Sequence, residues 1–212
     1  MRNPAIRLLV LLAAALSVSG CGADSIAFTY RGEESAWKDA RKAGRDALAK
    51  HDYAAAELSY AQAAEHARNL QSTNPQHYVE TLFDLACAQQ KAGDSAKAKQ
   101  TFQDMIAACD QLDRYANTNT SELYRRIARF SRANAWLGLA NIAKEQKDYA
   151  GAEQCYKRGL EISAYRSGNF PSVGKLKSEY ADLLEKQGKE PQTVKRLREE
   201  AAQAGEGILE GL

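Results

Sequence analysis

The sequence predicts an all-α protein built from about four antiparallel helix pairs, which is eight helices. Its 212 residues include 14 Gly and only 4 Pro, a composition that disfavours chains rich in turns. A short segment also occurs three times, with Asp followed four residues later by Ala and after four more by an aromatic residue. These segments begin at Asp52, Asp94 and Asp148. Repetition at intervals of tens of residues is typical of stacked helix pairs.

The first 20 residues have the form of a secretory signal peptide. A basic start is followed by the apolar run Leu8 to Val18, which is much shorter than the roughly 20 residues that a membrane-spanning helix needs. The run ends in Val18-Ser19-Gly20-Cys21, which resembles the bacterial lipobox. This resemblance implies cleavage before Cys21 and acylation of its thiol by chains such as palmitate. A plain signal peptide with a coincidental cysteine is the alternative.

The segment after this cysteine is predicted to be a tether. Residues 21–34 show no helical periodicity, so we expect a lipidated linker there. Several acyl chains would hold the protein durably, because each buried CH₂ contributes about 0.8 kcal/mol. The resemblance to lipoproteins implies an outer-membrane protein facing the periplasm, since Gly22 rather than Asp follows the cysteine.

Charge balance excludes one class of partner. Without Arg2 and Arg7 of the signal segment, the chain carries 27 basic and 27 acidic residues. A net charge of zero provides no long-range field for nucleic acid, so we predict no nucleic-acid partner.

Each recurring Asp is predicted to cap the second helix of a pair, because its carboxylate can accept hydrogen bonds from the free amides of the first turn. Ala and the aromatic residue four positions later share one face of that helix. A small residue also stands eight positions before each Asp, in the preceding helix. Close antiparallel packing is therefore predicted at Gly44, Ala56, Tyr60, Ala86, Ala98, Phe102, Trp136, Ala140, Ala152 and Tyr156.

This pattern resembles the tetratricopeptide repeat (TPR), most closely in Trp136, Leu139, Ala140, Ala152 and Tyr156. The resemblance covers residues 35–204 and implies a TPR-like superhelix; residues 205–212 are left as a flexible tail. A degenerate fourth pair fits Tyr180, Ala181, Leu184, Thr193 and Leu197, with Pro191 in the first turn of its second helix. A generic amphipathic helical bundle is the alternative fold.

The spacing of the repeats exceeds the family's 34 residues. Ala56, Ala98, Ala152 and Thr193 lie 42, 54 and 41 residues apart. We predict that the extra length in the middle interval lies before Trp136, in a long helix that starts near Thr118 to Thr120.

No motif indicates an enzyme, a cofactor or a metal site. Nucleophile elbows, glycine-rich phosphate loops and metal-ligand spacings are absent from the sequence. Cys87, Cys109 and Cys155 are predicted to be small buried thiols, with a disulfide as the alternative. His51, His66 and His77 are predicted to be surface residues.

Two sets of residues are candidate partner-binding surfaces. Lys38, Arg41, Lys42 and Arg45 form a predicted basic stripe on the first helix, suited to a carboxylate or acidic segment, or else a solvated face. The second surface surrounds the start of the third pair, where packing is the competing explanation: Tyr115, Tyr124, Arg125, Arg126, Arg129, Phe130 and Arg132, with Asn134 and Asn141 further along the same helix. Family members that bind chaperone tails use a Lys/Asn/Arg clamp, which is not reproduced by Arg41, Arg45, Asp84, Asn134 and Gly138 at the equivalent places.

The predicted function is a non-enzymatic, lipid-anchored adaptor that binds an unidentified protein of the bacterial envelope, in assembly, pilus biogenesis or secretion. Capture of a small ligand or peptidoglycan fragment is the alternative, with Phe83, Tyr124 and Arg129 lining the site.

Overall fold

The computed structural model describes residues 22–163 and 171–206, and within them the protein is all-α. The eight helices of this part of the chain are α1 Gly22–Ala49, α2 Tyr53–Asn69, α3 Pro75–Lys91, α4 Ser95–Thr118, α5 Glu122–Glu145, α6 Tyr149–Ser163, α7 Pro171–Lys186 and α8 Pro191–Glu206. Consecutive helices pack against each other, and α5 also contacts α3 and α7. The chain is therefore a TPR-like stack of four antiparallel pairs, as predicted.

The turns inside the first three pairs share one construction. Asp52, Asp94 and Asp148 each accept a hydrogen bond from the backbone amide three residues later, so the predicted caps are confirmed. The residue before each Asp has a positive φ, and the same two backbone hydrogen bonds close each turn. A left-handed residue at this place ends a helix and satisfies its last carbonyls. Each Asp thus follows directly on the end of the previous helix.

Small residues and aromatic rings meet where the helices cross. A Cβ on Gly44 would lie 2.7 Å from the ring of Tyr60, so only glycine permits this approach. Ala86, Ala98 and Phe102 share one core cluster, whereas Ala140, Ala152 and Tyr156 share another. Ala56 and Tyr60 are also buried, and Trp136 is partly buried against the cluster around Phe102.

The extra length of the middle repeat is divided between two helices, which corrects the prediction of a single long helix. α4 and α5 each have 24 residues, against 17 in α2 and α3. α5 begins at Glu122 after the capping residue Ser121, just beyond the predicted start. Leu112, Ala116 and Ala128 are buried between the extended ends. A lone extension would have left such apolar groups in water, so the two helices lengthen together.

Residues 22–34 were predicted to be an irregular tether, but they are helical, because α1 begins at Gly22. Its second half is fixed by side-chain contacts: Tyr30 accepts a hydrogen bond from Asn74, and Glu33 pairs with His66. These contacts explain why a stretch with weak periodicity is helical. The signal segment, Cys21 and the tail residues 207–212 lie outside the described residues.

The fourth pair follows the same plan with a different register. Tyr180, Ala181, Leu184 and Leu197 are buried, and Pro191 begins α8 as predicted. Val194 rather than Thr193 supplies the buried side chain of the first turn. None of the described helices has the length and apolarity needed to cross a membrane.

Candidate functional site

A concave groove of about 760 Å³ runs across the odd-numbered helices, which lie on the same side of the stack. Its surface is largely apolar; α1, α3, α5 and α7 all contribute to it, and α4 adds Phe102 and Met105. We call it the concave groove; its apolar lining consists of Phe83, Phe102, Met105, Ile127, Phe130 and Leu137.

The floor of the concave groove is one face of α5. Asn134, Gly138 and Asn141 stand at helical spacing, so they form a single stripe. Neither amide makes a hydrogen bond to another described residue. A Cβ on Gly138 would overlap the ring of Phe102, so glycine lets this ring pack directly beneath the floor. Asn134 and Asn141, both predicted for partner binding, thus lie together in the groove.

Two of the four cations in the predicted basic stripe on α1, Lys38 and Arg41, are paired with acidic side chains. Arg41 Nε donates to Asp84 at 2.6 Å, and Arg41 Nη1 donates to Glu80 at 2.8 Å. Burial opposes the charge of Arg41, but these hydrogen bonds outweigh burial and raise its pKa. Lys38 pairs with Glu34, whereas Lys42 and Arg45 are exposed and do not line the groove. Arg41 is paired with carboxylates 39 and 43 residues away along the chain, a pairing that helical periodicity cannot show.

Arg125 and Arg129 lie elsewhere, in a second depression that we call the outer cleft. It has a volume of about 740 Å³ and is lined by Asp113, Asn117, Glu122, Arg125, Arg129, Arg132, Glu161 and Ile162. Glu122 is 3.6 Å from Arg125 and 2.7 Å from Arg129. Arg132 donates to both Asp110 and Asp113. The predicted partner-binding residues are therefore not brought together: Arg41, Asn134 and Asn141 line the concave groove, Arg125 and Arg129 line the outer cleft, and Lys38, Lys42 and Arg45 line neither.

The residues expected to line a small-ligand site are not brought together. Phe83 lies in the concave groove, but Arg129 lies in the outer cleft. Tyr124 packs edge-to-face on Tyr115, with ring centroids 5.4 Å apart, against the core. The α4–α5 extension uses Tyr124 to hold itself together, so packing explains this residue.

His77 is a further correction, because it is not a surface residue. Its ring stacks on Trp37 with centroids 3.7 Å apart, and its Nε2 lies 3.4 Å from Glu34. Burial lowers the pKa of His77, although Glu34 acts in the opposite direction. Trp37 donates to Thr81, which fixes α1 against α3. His66 is half-buried against Glu33, and only His51 is well exposed in its turn.

Cys87, Cys109 and Cys155 are free thiols; Cys109 is buried as predicted, whereas the other two are only partly buried. Burial raises the pKa of Cys87 to about 11 and that of Cys109 to about 12, and burial also raises the pKa of Cys155. Uncharged thiols are poor nucleophiles at neutral pH. Within the described ranges, no group of three or more His, Cys, Asp or Glu side chains could hold a metal ion.

Stacked pairs with a groove on the concave side define a TPR-like helical-repeat protein. No protein-family model matches the chain, and no curated protein matches it. Solved structures with a similar fold include PilF of Pseudomonas aeruginosa, at 17% identity and TM-score 0.36 over 82% of this chain and 78% of that chain. BtubC from P. vanneervenii is similar at 14% identity and TM-score 0.37, over 86% of this chain and 91% of that chain. MamA is similar at 16% identity and TM-score 0.30, over 84% of this chain and 92% of that chain. Likenesses this distant carry no argument about function.

Proposed function

We propose that the protein is a non-catalytic adaptor whose concave groove binds a peptide segment of a partner protein. The observation that carries this proposal is an apolar groove with two unbonded amides on its floor, Asn134 and Asn141. An amide side chain both donates and accepts, so it can pair with the N–H and C=O of a peptide backbone. Apolar side chains of the segment would be buried against Phe83 and Phe130.

The size of the groove supports a peptide rather than a whole folded surface. Pockets of about 300–1,000 Å³ hold compact ligands, and the groove falls within that range at about 760 Å³. Its lining comes from all four pairs, so a bound segment would contact the whole stack. Such a segment would also stabilise the relative position of the pairs.

Site-specific photo-crosslinking tests this proposal. A photoreactive phenylalanine analogue replaces Phe130, which is 37% exposed and lines the groove. The matched control carries it at Leu58, an apolar residue 63% exposed on α2 and outside the groove. We expect adducts with a discrete envelope protein from position 130 alone. Equal labelling from both positions, or none from either, would contradict the proposal.

We also propose that this groove works at the bacterial envelope, held by acyl chains on Cys21 and facing the periplasm from the outer membrane. The support is the lipobox-like sequence that ends at this cysteine. Mass spectrometry of the exported chain is expected to find an acylated N-terminal Cys21, and Cys21→Ser is expected to release the protein from membranes. An unmodified cysteine in the exported protein would refute the anchor and leave the groove proposal intact.

A further inference from the structure

The two walls of the concave groove carry opposite charge. On the wall formed by α1 and α3, the single guanidinium of Arg41 faces two carboxylates, Glu80 and Asp84. Both carboxylates and this arginine line the groove. Among the residues of α1 and α3 that line the groove, carboxylates therefore outnumber cations by one.

The opposite wall is formed by α7 and is basic. The ammonium of Lys175 is 3.9 Å from Glu179, at the outer limit of an ion pair. Glu179 is already held by Lys144 at 2.8 Å and by the Tyr156 hydroxyl at 3.1 Å. Burial raises the pKa of Cys87 on the facing helix α3, and Lys91 of α3 and Lys175 of α7 both oppose this rise, which indicates that Lys175 lies near α3 across the groove. The positive charge on this wall is largely uncompensated.

A second observation marks the same end of α7 as a place for an anionic oxygen. Ser172 lines the groove and is only 6% exposed, yet its buried hydroxyl has no hydrogen-bond partner within residues 22–163 and 171–206. An unpaired buried hydroxyl is costly and is normally satisfied by a ligand or a neighbour. Ser172 lies in the first turn of α7, where helix amides and the helix dipole favour negative charge, and Lys175 follows about one turn later.

We infer that the concave groove selects a segment with an apolar centre, a carboxylate directed at Lys175 and Ser172, and a cation directed at Glu80 and Asp84. This inference rests on the proposed function and adds the chemistry of the partner. A wholly acidic segment would be repelled by the α3 wall, and a wholly basic one by Lys175. Opposite charges on opposite walls thus fix how the segment lies in the groove.

Four synthetic peptides of about nine residues test the charge rule, since an extended segment of that length covers about 30 Å. All share a central Leu-Phe-Leu and differ in their first and last residues. The two mixed-charge peptides have Lys first and Glu last, or Glu first and Lys last; the two like-charge peptides have Lys at both ends, or Glu at both ends. Binding to the full chain is measured by fluorescence anisotropy at low salt. We expect at least one mixed-charge peptide to bind about tenfold more tightly than either like-charge peptide.

Charge reversal on each wall supplies the decisive comparison. Lys175→Glu is expected to move the preference to the peptide with two Lys, and Glu80→Lys to the peptide with two Glu. The matched control is Lys195→Glu, because Lys195 is an exposed lysine that is likewise 3.9 Å from a glutamate four residues later, but lies outside the groove. Lys175→Gln and Glu80→Gln test the same point without introducing repulsion, and thermal denaturation checks that every variant is folded.

Two results would overturn the charge rule. One is equal affinity for all four peptides, or binding of none; the other is a preference that Lys175→Glu leaves unchanged. If crosslinking from position 130 still captures a partner in either case, the groove remains the binding site and only its charge selectivity is wrong. If position 130 also captures nothing, both proposals fail.

Discussion

The concave groove and the outer cleft have almost the same volume, about 760 and 740 Å³, but they differ in how many of their polar side chains are paired. In the outer cleft, carboxylates of the same hairpin occupy the arginines: Glu122 pairs with Arg129, and Asp113 with Arg132. In the groove, the amides of Asn134 and Asn141 and the hydroxyl of Ser172 have no partner among the described residues. Polar side chains without a partner in the fold, rather than particular residue types, are therefore the better guide to a binding surface. Arginines already bonded within the fold must first lose those bonds to bind anything else.

The largest expected effect comes from filling the floor of the groove. Gly138→Ala places a methyl group on the buried ring of Phe102, so we expect the free energy of unfolding to fall by about 1–3 kcal/mol. Gly32→Ala is the control, because a Cβ there meets nothing within 4 Å and Ala favours the helix by about 1 kcal/mol. Urea denaturation measures both. Equal stability of the two variants would show that the floor is not tightly packed.

The outer cleft is expected to contribute to stability instead of binding. Arg132→Ala leaves Asp110 and Asp113 without their shared donor and should cost about 1–2 kcal/mol in unfolding free energy. Arg125→Ala removes only a 3.6 Å contact with Glu122 and should stay within about 0.5 kcal/mol of the parent. Both variants should crosslink normally from position 130. A loss of crosslinking in Arg125→Ala would contradict the contrast between the two surfaces.

Acid is expected to weaken the α1–α3 wall of the groove but not the outer cleft, whose lining contains no histidine. The pKa of His77 is lowered by burial, so the folded state resists its protonation. Stability should therefore fall as pH drops below about 6.5, the ordinary pKa of histidine. The pKa values of Glu33 and Glu34 are also lowered, which extends the loss below pH 4.5.

Thermal denaturation across this pH range tests the role of His77. His77→Gln should flatten the first part of the loss, while the control His51→Asn, in an exposed turn, should retain it. An unchanged pH profile in His77→Gln would assign the effect to other groups.

The smallest effect concerns the floor amides. Asn134→Ala or Asn141→Ala should weaken binding of the best Leu-Phe-Leu peptide about two- to tenfold, the value of one hydrogen bond, without changing stability. Ser178→Ala, on an exposed position of α7 outside the groove, is the control. Affinity unchanged in both Asn variants would remove the amides from the binding surface.

Local rules predicted much of the fold. Asp52, Asp94 and Asp148 cap helices because a carboxylate needs only the next three backbone amides to do so. The division of extra length between α4 and α5 was missed, because two helices that lengthen together leave no separate mark in the spacing of Ala98 and Ala152.

Only part of the lining of the concave groove was named from the sequence. Asn134 and Asn141 were among the predicted partner-binding residues, and both line the concave groove. Ser172 and Lys175 carry no signal in the sequence until α7 is placed opposite α3. The role of Gly138 as the floor above Phe102 likewise depends on a contact between residues 36 positions apart.

By itself, the sequence determined that this chain forms paired helices that pack through small residues, since capping and periodicity act within a few turns. Tertiary structure alone decided which charges remain available. Arg41 meets Glu80 and Asp84 only when α1 lies against α3, and His77 is buried only when Trp37 covers it. Ion pairing and burial depend on distances of a few ångströms between distant parts of the chain, and no local pattern encodes those distances.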